Sequence, residues 1–130
     1  MDAAKRRLIW ANLALLALVW LHDLDHVRQV REVEGGVGAI GLFGVTVTIV
    51  SLALAIAGHR LAPLAAMAVG FGTAIGFVLV HLIPDWGPLS DGYPDLAVDG
   101  ISWAIAILPI PFALWLGLEG LRVGRLRTPA

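Results

Sequence analysis

The segment at residues 21–29, LHDLDHVRQ, places two histidines and two acids within five positions. An α-helix turns by about 100° per residue, so part of this segment falls on one helical stripe. The stripe holds His22, Asp25, His26 and Gln29, and its flanks hold Asp23 and Arg28. Two histidines four positions apart lie on adjacent turns of one face, where both imidazoles can reach the same metal ion. The segment therefore predicts half of a metal site.

A third histidine, His81, lies in the segment VHLIPDW at residues 80–86, four positions before Asp85. If the two segments meet, the three histidines supply nitrogen ligands and an acid supplies an oxygen. The predicted ligand set is His22, His26 and His81 with Asp25 or Asp85. Such a set suits Zn²⁺, with Fe²⁺ or Mn²⁺ as alternatives.

The acids near this set predict catalytic roles. An acid that is not a ligand can orient a histidine or act as a base on metal-bound water. Asp25 and Asp85 are therefore the predicted catalytic residues. Asp91, Asp95 and Asp99 follow in the sequence, and they could close over the site or contact a substrate.

The same residues allow two other interpretations. In the first, the histidines lie in the hydrated membrane interface and Asp25 pairs with Arg28 three positions later. In the second, His81 and either His22 or His26 are the axial ligands of a haem. The neighbouring acids disfavour haem, because its pocket is apolar.

The surrounding composition is typical of a membrane protein. The chain of 130 residues is 58% hydrophobic and 15% charged, with a mean hydropathy of +0.84, whereas soluble domains have about 25% charged residues. Four apolar segments approach the roughly 20 residues that cross a bilayer. They predict an all-α integral membrane protein, a four-transmembrane-helix bundle forming a single domain over residues 1–130. The predicted helices cover about residues 8–31, 37–58, 61–83 and 99–121, with an external loop at 84–98.

The apolar run before the first two histidines is too short to cross a bilayer. It covers 14 residues, 8–21, or roughly 21 Å of helix, whereas the hydrocarbon core is about 30 Å thick. Because unpaired backbone groups are costly in lipid, the helix is expected to continue through LHDLDHVRQ. Ionisable residues at such a depth are rare and usually functional.

The basic residues predict the orientation. Seven of the nine fall at one end of the predicted bundle: Lys5, Arg6, Arg7, Arg60, Arg122, Arg125 and Arg127. The positive-inside rule makes this end cytoplasmic. Both termini are then cytoplasmic in a multi-pass protein of the cell membrane, and the histidines face the extracytoplasmic side. That side collects most of the acids: Asp23, Asp25, Glu32, Glu34, Asp85, Asp91, Asp95 and Asp99.

Glycine and proline positions predict helix ends and packing. Gly35 and Gly36 are expected to break the chain between the first two helices. Pro84 is expected to end the third helix. Pro109 and Pro111 predict an irregularity within the fourth.

Two further predictions concern the third and fourth helices. Gly72 and Gly76 have the small-xxx-small spacing that allows helices to approach closely. Asp99 or Asp95 is expected to cap the fourth helix. The glycine-rich faces also make a homodimer plausible.

Composition excludes other classes. The chain has no cysteine, which excludes disulfides and thiolate metal sites. Its net charge of −1 indicates no nucleic-acid partner. The N-terminal segment is expected to remain as a helix, because no small-x-small cleavage pattern follows it.

The predicted function is a metal-binding membrane protein, most simply a metal-dependent hydrolase acting on a lipid or another amphiphile. The lipid bilayer is the predicted partner, with a lipid-like substrate. Three alternatives stay open: a haem-binding electron-transfer bundle, a component of proton or metal-ion transport, and a non-catalytic partner subunit. Transport is disfavoured because the inner halves of the helices hold few ionisable groups besides Glu119.

Overall fold

The computed structural model describes residues 2–30, 32 and 35–127. Their helices are α1 (Ala3–Arg28), α2 (Gly35–Ala57), α3 (Ala62–Phe77), α4 (Gly100–Ile107) and α5 (Pro109–Arg127). A π-helical turn at Val78–Leu82 extends α3, and a 3₁₀ turn at Tyr93–Asp95 interrupts the loop before α4. Together α4 and α5 form one spanning-length segment, so the described chain has four helices long and apolar enough to cross a membrane. The predicted all-helical fold is confirmed to that extent.

Two residues used to predict the orientation are not fully described by the structure: Glu34, and the side chain of Arg127.

The first helix continues through the polar segment, as its length required. It begins behind Asp2, whose carboxylate accepts a hydrogen bond from the Ala4 amide at 3.2 Å, and it ends at Arg28. The side chains of LHDLDHVRQ are therefore held on a helical surface with fixed spacing.

The prediction that Gly35 and Gly36 break the chain is wrong, because both belong to the first turn of α2. Gly36 lies against the loop before α4. A Cβ on this residue would be 2.3 Å from the carbonyl oxygen of Pro88. The glycine therefore permits a close approach between the start of α2 and that loop.

The proline predictions are confirmed. Helical structure after α3 ends at Leu82, and Ile83, the residue before Pro84, is extended with φ −100° and ψ 156°, as the proline ring favours. The fourth spanning segment is interrupted at Leu108, and α5 restarts at Pro109. Pro109 and Pro111 are tolerated there because the first turn of a helix has no intrahelical acceptors for its N–H groups.

The helices form a ring in which α1 packs against α2 and α5, α2 against α3, and α3 against α5. At one end of the bundle, Arg7 Nε of α1 lies 3.1 Å from Oε2 of the buried Glu119 in α5, and Arg122 Nη1 lies 2.8 Å from Oε1. The start of α1 and the end of α5 therefore share one end. The histidines of LHDLDHVRQ lie at the opposite end.

The most extensive helix contact in the described chain joins α3 and α5. A Cβ on Gly70 would be 2.3 Å from the Gly117 nitrogen and 2.5 Å from the Ala113 carbonyl oxygen. Gly72 and Gly76 do not make such a contact, because no described atom lies within 4 Å of a Cβ built on either. The prediction that they bring two helices of the chain together is therefore wrong. Gly72 lies about 200° around the helix from Gly70, on the face turned away from α5.

Candidate metal centre

Three histidine side chains meet at the end of the bundle opposite the start of α1. His22 Nε2 lies 3.0 Å from His81 Nε2 and 3.1 Å from His26 Nε2. The three residues are only 4%, 5% and 9% exposed for His22, His81 and His26. Within the described residues they form a group that could hold a metal ion. The predicted convergence of these three histidines is confirmed.

Secondary structure and ring packing position the histidines. His22 and His26 lie on successive turns of α1, and His81 lies in the π-helical turn after α3. Such turns are rare and often occur at functional sites. Phe77 packs against His22 with ring centroids 4.9 Å apart, and Tyr93 packs against His81 at 5.1 Å. These aromatic contacts hold the imidazoles in place.

Ordinary hydrogen bonding explains this arrangement poorly. An imidazole nitrogen carries either one proton or one lone pair, yet His22 Nε2 faces two other ring nitrogens at once. Nitrogen ligands of a tetrahedral metal lie about 3.3 Å apart when each bond is about 2.05 Å. The observed 3.0 and 3.1 Å are close to that spacing. The spacing therefore fits three imidazoles that could hold one cation.

The second ring nitrogens of two histidines face Asp91. Its Oδ2 lies 3.7 Å from His81 Nδ1 and 3.9 Å from His26 Nδ1. The Asp91 amide donates a hydrogen bond to the Val80 carbonyl at 2.8 Å, which fixes the loop against the π-helical turn. A carboxylate beside the far nitrogen of a histidine is the usual support for a metal ligand. Asp91, Asp95 and Asp99 were the loop acids that could close over the site, and Asp91 is the one that lies beside the histidines.

Asp25 is not part of the histidine group. Its carboxylate accepts hydrogen bonds from Arg28 Nε and from the Gln29 side-chain amide, both at 2.6 Å. Arg28 also holds Asp99 through two bonds of 2.9 Å, which lowers the pKa of the Asp99 carboxyl. Asp25 thus belongs to a polar clamp between α1 and the start of α4, and its role as ligand or catalytic base stays a prediction.

Asp99 caps α4, as predicted. Its carboxylate accepts a hydrogen bond from the Ser102 amide at 2.9 Å.

Asp85 and Asp95 organise the loop instead of joining the histidines. The Ser90 hydroxyl and the Gly87 amide donate to Asp85, and the Ser90 bond is the main cause of the lowered pKa of this carboxyl. Asp95 accepts a hydrogen bond from the Asp85 amide at 2.6 Å. The predicted metal-binding and catalytic roles of Asp85 stay predictions.

A cavity of about 710 Å³ begins beside the histidines and runs between α1, α2 and α3. Its walls are mainly apolar side chains and glycines of α2 and α3. Its polar lining includes His22, Asp23, His26, His81 and Thr73. Leu42 and Phe43 also line it, and they are 71% and 68% exposed. The cavity therefore opens on the outer surface of the bundle, where the helices are apolar.

Sequence reasoning missed Asp23 as a residue of this cavity. Asp23 is partly buried and faces α2, where a Cβ on Gly41 would be 3.9 Å from its Oδ1. The available signal was the spacing of Gly38, Gly41 and Gly44, which puts three glycines along one side of α2. A helix face without side chains leaves room beside its neighbour.

Comparison of the chain with known protein families, with curated proteins and with solved structures gives no match. The function is therefore inferred from the geometry of the histidines and of the cavity beside them.

Proposed function

We propose that this protein is a multi-pass membrane metalloprotein in which His22, His26 and His81 bind one zinc ion near the extracytoplasmic surface. The observation that supports the proposal most strongly is the convergence of three buried Nε2 atoms at 3.0 and 3.1 Å. Asp91 supports the ligands from their far side. The excess of Lys and Arg at the opposite end of the bundle supports the orientation.

Zinc fits this set better than the other metals. Zn²⁺ binds imidazole in tetrahedral sites, and its catalytic sites include ones with three histidines. Iron and manganese sites of this type usually add a carboxylate ligand, and the group of possible ligands in the described chain contains three histidines alone.

Haem is disfavoured by the same distances. Two axial nitrogens lie on opposite faces of the macrocycle, about 4 Å apart if each bond to the iron is about 2 Å. His22 Nε2 and His81 Nε2, on different helices, are 3.0 Å apart. The His22 ring also packs against both partner imidazoles, which leaves little room for a flat ring between them.

The activity that this site would support is hydrolysis of an ester in an amphiphilic lipid. A zinc ion with three protein ligands keeps a fourth position for water and lowers the pKa of that water to about 7. In the net reaction, the water oxygen bonds to the acyl carbon, the bond to the alcohol oxygen breaks, and the alcohol leaves with a proton. Asp23 lines the cavity with the histidines, and we assign it the role of the base that accepts the proton of the attacking water.

Elemental analysis of the purified protein tests the metal site. We expect about one zinc per chain in the wild type and loss of zinc in His26→Ala and His81→Ala. His59→Ala is the matched control, because His59 lies in the turn between α2 and α3 and accepts a hydrogen bond from the Leu61 amide. Equal zinc in all four proteins, or none in the wild type, would refute the site. A haem absorption band would favour the electron-transfer alternative.

The hydrolase activity needs its own test. We expect zinc-dependent cleavage of 4-nitrophenyl palmitate by the wild type, and a rate lowered about 10²–10⁴-fold in Asp23→Asn with zinc content unchanged. A zinc-loaded wild type that does not cleave the ester faster than zinc-loaded His26→Ala would contradict the activity and leave the metal site standing.

A further inference from the structure

We infer that the cavity between α1, α2 and α3 binds one acyl chain of an uncharged ester lipid, with the ester at the histidines. This inference rests on the proposed function for the chemistry at the polar end and adds the class of substrate. The hydrocarbon chain would occupy the apolar part of the cavity.

The distribution of polar groups along the cavity indicates the occupant. The titratable side chains of its lining are His22, Asp23, His26 and His81, which lie within one turn of α1 and at the end of α3. Elsewhere the lining is almost wholly apolar or glycine. A molecule that matches this surface is apolar along its length and polar at one end, as a lipid chain with its ester is.

The size of the cavity favours a chain over a helix of a second copy. Its volume of about 710 Å³ lies within the range of about 300–1,000 Å³ for small-molecule sites. A spanning helix about 10 Å wide and 30 Å long would need roughly 2,400 Å³. Gly72 and Gly76 line the cavity on α3, and the open space beside them is part of it.

His22 provides a polar contact for the ester. It is 4% exposed, lines the cavity, and its Nδ1 has no hydrogen-bond partner within the described part of the chain. With a metal on Nε2, the proton of this imidazole is on Nδ1, which then donates. A buried donor without a partner is costly, and an ester carbonyl oxygen is an acceptor that would remove the cost.

Charge near the polar end selects the head group. Asp23 is part of the lining, and Asp91 lies on the far side of the histidines. A neighbouring cleft in the outer loop is lined by Glu32, Asp85 and Asp95 among others. These five carboxylates outnumber the two positive charges of a bound zinc ion, so this end of the cavity stays negative and repels an anionic head. The lipid is therefore an uncharged one.

The exposed lining residues indicate how the chain enters. Leu42 and Phe43 of α2 lie at the cavity wall and are largely exposed. An opening at this surface faces the hydrocarbon of the bilayer, so the acyl chain enters sideways without crossing water.

Native mass spectrometry of the detergent-solubilised full chain tests the inference, because each spectrum reports zinc and lipid on the same molecules. The probe is a hydrolysis-resistant form of 1-monopalmitoylglycerol in which NH replaces the ester oxygen, and palmitoyl lysophosphatidic acid with the same replacement is its anionic counterpart. Gly72→Leu and Gly76→Leu fill the cavity, since a Cβ at either position meets no described atom within 4 Å. Gly100→Leu is the matched control, because Gly100 also has open space but does not line the cavity.

We expect one molecule of the uncharged probe per wild-type chain, at least tenfold weaker binding in Gly72→Leu and Gly76→Leu, and unchanged binding in Gly100→Leu. The anionic probe should bind the wild type at least tenfold more weakly. Equal binding of the uncharged probe to all four proteins would overturn the inference, and equal binding of the two probes would overturn the assignment of the head group.

Two further results separate the alternatives. If the wild type is a dimer and the cavity-filling variants are monomers, a second copy covers the cavity and the inference is wrong. Zinc in the same spectra tests the proposed function by itself. Lipid without zinc would refute the metal site alone, whereas zinc without lipid would refute the cavity assignment alone.

Discussion

The two sides of α3 use glycine in opposite ways. On the side facing α5, Gly70 lets two backbones meet so closely that a Cβ would be 2.3 Å from the Gly117 nitrogen. On the side facing α2, no described atom lies within 4 Å of a Cβ on Gly72 or Gly76. One side is a tight helix contact, and the other is the wall of a cavity. The presence of glycine in a membrane helix therefore indicates a missing side chain, but does not say whether a helix or a ligand takes the space.

Burial of the helices follows the same division. In the most apolar stretch of α2, 17% of residues are buried, against 39% in the corresponding stretches of α1 and of α3 with its π-helical turn. The contact between α3 and α5 is the most extensive one in the described bundle, and α2 contacts its neighbours less extensively. The following predictions would break or sharpen this comparison.

The largest effect is expected from adding side chains on the two faces of α3. Gly70→Leu should reduce stability by about 1–3 kcal/mol or more, because its Cβ meets backbone that cannot move aside. Gly72→Leu should leave stability unchanged or slightly raised, since leucine favours helix over glycine. Thermal unfolding in detergent measures both. If the two variants unfold at the same temperature, the two faces do not differ as described.

Zinc is expected to stabilise the bundle across the cavity, because its ligands join α1 to the end of α3. At a free zinc concentration one hundred times the dissociation constant, the gain is about 2.7 kcal/mol. The unfolding temperature should rise with zinc in the wild type and in His59→Ala, but not in His22→Ala. A rise in His22→Ala equal to that of the wild type would show that zinc binds elsewhere.

A smaller effect is expected at the carboxylate behind the histidines. Asp91→Asn should weaken zinc binding about 10–100-fold, as loss of a supporting carboxylate usually does. Asp95→Asn is the control: it removes the same charge from the same loop, and the asparagine oxygen can still accept the bond from the Asp85 amide. Zinc titration against a competing chelator measures both. Equal affinities for the two variants would contradict the role of Asp91.

The smallest effect is expected at the exposed clamp between Arg28 and Asp99. Arg28 lowers the pKa of Asp99 in the folded protein, so the pair stabilises the fold above the unfolded pKa of about 3.9. The contribution is lost as pH falls through the lower folded pKa. The unfolding temperatures of wild type and Asp99→Asn should therefore differ slightly at pH 7, and the difference should begin to shrink as the pH falls below about 4. A difference that grows in acid would contradict the pairing.

Much of the fold could be predicted because it depends on local chemistry. Pro84 favours an extended conformation for the residue before it and so ends the helix there, and Asp99 caps the helix that follows it. The three histidines could be brought together because α1 and α3 must end on the same side of the bundle. These predictions needed only residue type, chain direction and element length.

Other features depend on the rotation of each helix about its axis, which the sequence pattern left open. Asp25 shares a stripe with His22 and His26, so both a ligand role and a pair with Arg28 were predicted for it, and the pair with Arg28 is the one that the structure has. Asp91 was one of three loop acids that were equal in sequence, and the loop path brings it to the imidazoles. The π-helical turn that carries His81 was not predicted from VHLIPDW.

The contact at Gly36 connects α2, which lines the cavity, to the loop that carries Asp91. Gly36, at the start of α2, packs against the carbonyl oxygen of Pro88. Asp91, three residues later in the same loop, lies beside His26 and His81. A tilt of α2 that widens the cavity would therefore displace this loop. If the cavity takes up a chain and the histidines bind zinc as proposed, entry of the chain and the position of Asp91 are coupled, and zinc affinity should differ between the full and the empty cavity.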